Sequence, residues 1–279
     1  MTHDLVLYGG AVPTWLLERL VGLTGATRIE PRPPQSVRLK GVHPHPSIRD
    51  LCEQERLDFA FLPAGRRLSD YGLLAMDMDS TLITIECIDE VADFAGKKAE
   101  VSAITEAAMR GEIDYTESLR QRVALLSGLP VDVLDRVYRE RLRLSPGTDN
   151  LLRAAKAAGL TTMVVSGGFT YFTHRLRDDL GLDHAFSNEL EIVDGVLTGR
   201  VAGPIVDAKG KALHVKAIRK SLGLTKEQVI TIGDGANDLL MMAESDLSVA
   251  YRAKPVARRE AAIAINFSGL DGLLAVLEH

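Results

Sequence analysis

The stretch Leu73-Leu74-Ala75-Met76-Asp77-Met78-Asp79-Ser80-Thr81 constrains this chain more than any other. Four apolar residues run straight into two acids placed two apart, followed by two hydroxyls. A strand turns successive side chains to opposite faces, so an unbroken apolar run predicts burial on both faces, as in a parallel sheet. The acids emerge where the strand stops, and in open α/β sheets ligands sit at the carboxyl ends of strands. Burying charge without a partner is costly, so two acids after a core strand ask for a cation. The plainer alternative is that Asp77 caps a helix and Asp79 is a solvated acid of its first turn.

Two further buried strands end in comparable chemistry. Thr161 to Val165 runs into Ser166-Gly167-Gly168, and Val229 to Ile232 runs into Gly233-Asp234-Gly235-Ala236-Asn237-Asp238. Parallel strands place such ends along one edge, where Asp77, Asp79 and Asp234 would form a cluster of hard oxygen ligands suited to Mg²⁺ rather than zinc. Ser166 with the glycine amides after it makes an anion cradle at a strand-to-helix turn. A lysine ahead of the Val229 strand, Lys211 or Lys209, would complete a phosphate site.

The rest of the chain arranges itself around these ends. Residues 1–70 read as a small α/β unit, with strands over Leu5 to Tyr8, Ser36 to Val42 and Leu57 to Leu62. Helices are expected over Val12 to Leu23 and Ile48 to Glu55, a loop over Pro31-Arg32-Pro33-Pro34, and a linker over Pro63 to Arg67. His43-Pro44-His45 reads as ordinary surface. Ile88 to Gly111, Tyr115 to Leu126 and Val131 to Leu142 are helical segments with no strand among them, which predicts a cap inserted between core strands. The α/β pattern then resumes: a helix from Asn150 to Ala158 closed by Gly159, a hairpin about Asp194-Gly195, and a helix from Lys211 to Leu222. Short strands follow at Leu247 to Ala250 and Ala262 to Ile265. The expected fold class is α/β: a Rossmann-like parallel core over residues 71–279 with a helical cap at about 88–145, plus the unit over 1–70.

Composition bears on partners and location. The net charge of −5 argues against nucleic acid or an anionic membrane as the main partner. No apolar run approaches ~18 residues, so no membrane span is expected. Met1-Thr2-His3-Asp4 lacks the basic and apolar regions of a secretion signal, and Cys52 and Cys87 make no disulfide framework. A cytoplasmic location fits, each cysteine reads as a small buried hydrophobe, and a homodimer is left open.

In their order, Asp77-Met78-Asp79-Ser80-Thr81, Ser166-Gly167, a downstream lysine and Gly233-Asp234-Gly235-Ala236-Asn237-Asp238 resemble the haloacid dehalogenase-like phosphatases over roughly residues 72–279. Glu86 in Thr84-Ile85-Glu86-Cys87 and Arg122 in Ser118-Leu119-Arg120-Gln121-Arg122-Val123 bring the match closer to those members that hydrolyse phosphoserine. The resemblance implies a Mg²⁺-dependent enzyme converting O-phospho-L-serine to L-serine and phosphate through an aspartyl-phosphate, the last step of L-serine biosynthesis. It implies Asp77 as nucleophile and Asp79 as acid and base, with the backbone carbonyl of Asp79 on the metal. Asp234 would be a metal ligand, and Asp238 would lie beside the metal or behind a water. Ser166, the Gly167 amide, Lys211 and Asn237 would hold the phosphate.

Counting back from Asp234 places the family's lysine on Lys211 and leaves Lys209 at the surface. Glu86 would be a buried carboxylate reading the substrate ammonium, and Arg122 a fork reading its carboxylate. Tyr115, seven before Arg122, would be an apolar lid contact where the family commonly has Phe. The N-terminal unit resembles the amino-acid-binding ACT-type domains, though it is short for one. Two alternatives stay open. One is the same core acting on another small phosphomonoester or transferring the phosphoryl group to an alcohol. The other is a non-catalytic amino-acid sensor, against which the intact acids argue.

Overall fold

Alternation along Leu5-Val6-Leu7-Tyr8 determines how the N-terminal unit sits. The structure, a computed structural model, describes residues 3–32 and 36–278. In β1 (His3–Tyr8), Leu5 and Leu7 pack on Leu16 and Leu20 of α1 (Thr14–Thr24). Ile48 and Cys52, from the helix Ser47–Gln54, complete that cluster. Val6 and Tyr8 belong instead to the apolar core of the rest of the chain, together with Leu270 and Leu273. The sheet is therefore a middle layer, with its own helices on one side and the larger unit on the other.

Its four strands are β1, β2 (Arg28–Arg32), β3 (Ser36–Val42) and β4 (Asp58–Pro63), in the order β2-β3-β1-β4 and all antiparallel; the Ser47–Gln54 helix is α2. The Pro31-Arg32 half of the expected loop is the end of β2, while Pro33 and Pro34 lie outside the described residues. An edge strand tolerates Pro31 because one of its sides needs no backbone donors.

Two buried charges join this unit to the rest. The Asp58 carboxylate accepts hydrogen bonds from the backbone N–H of Asn266 (2.7 Å), Phe267 (3.1 Å) and Ser268 (2.8 Å) and from the Ser268 hydroxyl (2.7 Å). Arg38, fully buried, donates to Asp4 Oδ2 at 3.1 Å and to the Val276 carbonyl at 2.7 Å. Buried charges need such partners, and here each partner comes in part from the far end of the sequence.

The larger unit is built on seven strands: β5 (Leu73–Met76), β6 (Thr161–Phe169), β7 (His184–Val193), β8 (Val196–Ala202), β9 (Val229–Gly233), β10 (Leu247–Tyr251) and β11 (Ile263–Ile265). They lie in the order β11-β10-β9-β5-β6-β7-β8, parallel except for the β7–β8 hairpin at Asp194-Gly195. All four residues of β5 are buried, as an unbroken apolar run in a central strand requires. Strand order reverses at β5, between β9 and β6, and such a switch opens a crevice at the strand ends.

Between β5 and β6 come α3 (Cys87–Phe94), α4 (Lys98–Met109), α5 (Tyr115–Ala124) and α6 (Asp132–Arg136), then α7 (Thr148–Ala157). The entry and exit of the α3–α6 segment are zipped together by the antiparallel bridge of Ile83 with Leu144, with Thr84 N–H donating to the Arg143 carbonyl at 2.9 Å. The remaining helices are α8 (Thr170–Leu180), α9 (Ala208–Ser221), α10 (Leu239–Met242), α11 (Pro255–Glu260) and α12 (Gly272–Val276). The sequence pattern does not announce α8, whose buried face is only Phe172, Thr173 and Leu176 among polar residues. No helix among the described residues is long and apolar enough to cross a membrane.

Candidate active site

One small cavity, of about 110 Å³, lies at the crevice beside β5. Its lining takes in Asp77, Asp79, Glu86, Arg122, Ser166, Gly167, Lys211, Asp234 and Asn237, the nine residues singled out from the sequence. The core strands deliver most of them: Asp77 follows β5, Ser166 and Gly167 lie in the last turn of β6, and Asp234 follows β9. Arg122 comes from α5. Lys209 is exposed and outside the cavity.

Asp77 is buried and held from two directions. Its Oδ1 accepts from its neighbour Met78 N–H at 2.7 Å and from Lys211 Nζ at 2.7 Å. Oδ2 has no hydrogen-bond donor among the described residues. Burial pushes the Asp77 carboxyl well above the usual range, and Asp238 adds to this, while Lys211 opposes it. Lys211 is sealed in as well, and its ammonium also meets Asp238 Oδ1 at 2.8 Å. Burial alone would lower its pKa, but Asp238 and Asp77 together raise it, so Lys211 is a permanent cation. Asp238 is saturated further by the N–H groups of Asp234 and Gly235, both at 3.1 Å from Oδ2.

The cation cluster holds three carboxylates, and Asp79, whose expected contribution is its backbone carbonyl, supplies none of them. The carboxylates that converge, each with one oxygen within 4.8 Å of the others, are those of Asp77, Asp234 and Asp238. The chain turns after Asp77, and the Asp79 carboxylate swings away, its Oδ1 accepting from Cys87 N–H at 3.0 Å and its Oδ2 lying 3.5 Å from the Ser166 hydroxyl. Burial first, and the Glu86 charge second, push Asp79 up to about 7. Asp234 is raised to about 6, by burial and then by Asp238. Three carboxylates, balanced by only one lysine, supply hard oxygen donors, so the residues fit a divalent cation.

Glu86 also departs from expectation: its carboxylate is exposed, not buried, and accepts from the Ser80 hydroxyl at 2.7 Å. Ser80 has a left-handed backbone, φ 56°, which lets the turn double back so that Ser80 N–H reaches the Ile85 carbonyl at 3.2 Å. Arg122 is half-buried and donates from Nε to the Ser118 carbonyl at 3.3 Å, leaving its two terminal nitrogens without a partner among the described residues. Tyr115 departs in a third way. Its hydroxyl donates to the Gly167 carbonyl at 3.1 Å, so it is not a purely apolar contact.

Sequence reasoning missed Lys254 and Phe169 in the lining, and gave Asp238 less weight than its position carries. Lys254 follows β10 in Ala253-Lys254-Pro255, and its N–H donates to the Asp234 carbonyl at 2.8 Å. The strand-end logic applied to β5, β6 and β9 would have found it at β10. Gly168 is crowded: a Cβ there would sit 2.8 Å from Asp79 Oδ2 and 2.7 Å from Met78 Cε. Only glycine lets this turn close on Asp79.

Comparison with known proteins places these features in a lineage. Residues 74–243 match the haloacid dehalogenase-like hydrolase family. A phosphoserine phosphatase of a Polaromonas species is 58% identical over 217 residues, covering 76% of this chain and 92% of the relative. Among solved structures, a probable phosphoserine phosphatase from Vibrio cholerae superposes with a TM-score of 0.86 at 37% identity, over 98% of this chain and 86% of that one. A haloacid dehalogenase family hydrolase from Salmonella enterica serovar Typhi gives 0.89 at 34% identity, over 100% and 99%.

Proposed function

The chain belongs to the haloacid dehalogenase-like hydrolase family, and we propose that its reaction is the hydrolysis of O-phospho-L-serine to L-serine and phosphate. The observation that carries this reading is the meeting, in one cavity, of a phosphate-sized cationic end with two further charges of opposite sign. Lys211 and the Ser166-Gly167-Gly168 turn face the phosphate end, while Glu86 and Arg122 suit an ammonium and a carboxylate. A substrate lacking the amino-acid head would leave Glu86 and Arg122 idle. We read residues 71–279 as the catalytic unit, 88–145 as its cap and 1–70 as an accessory unit.

Asp77 is the nucleophile. With Oδ1 fixed by Met78 and Lys211, Oδ2 is the oxygen left to attack phosphorus. The bond to the serine oxygen breaks as the aspartyl bond forms, so one hard displacement becomes two easier ones. Asp79, whose carboxyl burial and the Glu86 charge push up to about 7, gives its proton to the departing serine oxygen. It then takes a proton from the water that attacks the phosphoaspartate, and Asp77 leaves as a carboxylate. Ser166, the Gly167 amide, Asn237 and Lys211 surround the phosphoryl oxygens, and their charge and dipoles oppose the charge that develops there.

Asp77, Asp234 and Asp238 would hold a divalent cation, with Mg²⁺ favoured by the all-oxygen donors, and the Asp79 carbonyl is a further candidate ligand. When bound, the cation supplies positive charge that keeps Asp77 ionised and screens the phosphate from it. The product is a free amino acid in a cytosolic biosynthetic setting. The test is phosphate release from phosphoserine, phosphothreonine, nucleotides and sugar phosphates, with and without Mg²⁺. Phosphoserine should lead and the activity should vanish with a chelator; a preference for any substrate without the amino-acid head overturns the reading.

A further inference from the structure

The Gly167 carbonyl is the one backbone acceptor of the phosphate turn that is claimed from both sides of the cavity. From the core, Asn188 of β7, buried, donates Nδ2 to it at 2.8 Å, while Asn188 Oδ1 accepts from Val206 N–H at 2.7 Å. From the cap, the Tyr115 hydroxyl at the start of α5 donates to it at 3.1 Å. A carbonyl has two lone pairs, so both are used. The same peptide unit continues into Gly168 N–H, which donates to Ser166 Oγ at 2.8 Å, and Ser166 Oγ lies 3.5 Å from Asp79 Oδ2. The plane of one peptide thus links a cap residue to the acid of the reaction.

From this arrangement we infer that the Tyr115 hydroxyl is a positioning group, which ties the seated cap to the phosphate turn and fixes the Gly167–Gly168 peptide for phosphate. Close approach supports it independently. A Cβ on Gly167 would lie 2.2 Å from the Tyr115 oxygen, so the turn has been left open to admit this hydroxyl. Other ties between cap and core run elsewhere: Gly128 N–H reaches the Leu197 carbonyl at 2.9 Å and Val131 N–H reaches the Gly195 carbonyl at 2.8 Å, both on the β7–β8 hairpin. Those hold the cap in place without touching the reacting groups. The Tyr115 bond reports cap position to the turn, because rotating the peptide breaks it together with the Asn188 bond.

The inference rests on the phosphatase reading, and the experiment separates the two. Tyr115→Phe removes only the oxygen, and Tyr115→Ala removes the ring as well. In Tyr115→Phe, KM for phosphoserine and the inhibition constant of inorganic phosphate should both rise about three- to tenfold, the measure of one hydrogen bond. Its kcat should change less, the thermal midpoint should hardly move, and hydrogen exchange over residues 164–170 should quicken. Tyr115→Ala should add a loss of stability. Unchanged phosphate inhibition and unchanged exchange in Tyr115→Phe overturn the positioning role, as does a fall in stability with no change in either constant. If the wild-type enzyme fails to turn over phosphoserine, yet Tyr115→Phe still weakens inorganic phosphate binding and quickens exchange, the substrate reading alone is sunk.

Discussion

The Lys211 ammonium lies 2.7 Å from Asp77 Oδ1, and both groups are almost sealed from solvent. The lysine is shared with Asp238, so it balances two buried acids before any ligand arrives. In the proposed reaction its role is double: it orients the nucleophile and keeps positive charge beside the phosphoryl oxygens. Lys211→Ala should lower kcat for phosphoserine by about 10²–10³-fold, the range for losing one preorganised transition-state contact. It should also lower the thermal midpoint, because two buried carboxylates lose their cation. Turnover assays on protein shown to be folded by circular dichroism check this, and a near-normal kcat would move the role elsewhere.

Asp77 and Asp79 have different surroundings, and their variants should fail differently. Asp77→Asn removes the attacking oxygen, so no phosphoenzyme should be trapped from any substrate. Asp79→Asn keeps the nucleophile and loses the proton carrier, which should slow phosphoserine turnover by about 10²–10⁴-fold. With p-nitrophenyl phosphate, whose leaving group needs no proton, Asp79→Asn should accumulate phosphoenzyme because the second step lacks its base. Acid-quench trapping of labelled protein measures both.

Glu86 is exposed and hydrogen-bonded only to Ser80 among the described residues, so its carboxylate is free to take a cationic guest. Glu86→Gln should raise KM for phosphoserine by about tenfold or more, the scale of one charge-assisted hydrogen bond. Turnover of a phosphomonoester without an amino group should change far less. The ratio of the two kcat/KM values is the measurement, and equal losses on both substrates would show that Glu86 does not read the ammonium.

How much of this was legible in the sequence depends on what kind of fact each feature is. The ends of β5, β6 and β9 could be read because central parallel strands are continuous apolar runs, and the residue after such a run sits at the sheet edge. Strand β2 could not: Arg28, Glu30, Pro31 and Arg32 carry no apolar alternation, and the strand exists because β3 offers it an edge. The convergence of Asp238 with Asp77 and Asp234 depends on how two turns fold back, which spacing does not encode. The same holds for the exposure of Glu86 and for the bond from Tyr115 to Gly167, made between groups 52 residues apart.

Glu278 and Lys40 supply a pH-dependent tie between the two ends of the chain, 2.9 Å apart. The hydrogen bond to Lys40 is the first cause holding Glu278 below its ordinary value of 4.5, with Arg38 and Arg32 adding to it. A depressed carboxyl stabilises the fold above its unfolded pKa, and that contribution is lost as pH falls through the lower folded value. Glu278→Gln should therefore destabilise the protein near neutrality by less than about 1 kcal/mol, as expected for a partly exposed pair. The difference should shrink as pH falls below the ordinary value of 4.5 and be lost once pH has passed the lower folded value. Denaturant melts of both proteins across that range test the sign: a difference that grows in acid contradicts it.

Asp58 makes the strongest claim about the N-terminal unit. Its buried carboxylate satisfies three consecutive backbone N–H groups and a hydroxyl at residues 266–268, immediately after β11. Nothing else among the described residues accepts from those three amides, so removing the acceptor strands them at a buried junction. Asp58→Ala should cost on the order of 3 kcal/mol, given ~1–3 kcal/mol for each donor left unsatisfied and partial relief by water. For a chain of this size that lowers Tm by roughly 6–12 °C. The cavity lining does not include Asp58 or residues 266–268, so kcat and KM below the transition should stay close to wild type. Calorimetry paired with turnover assays distinguishes the outcomes. An unchanged Tm would mean that the unit docks through its apolar face at Val6, Tyr8, Ala60 and Leu62 and through Arg38 without help from Asp58, whereas lost activity at an unchanged Tm would give residues 1–70 a direct part in the reaction.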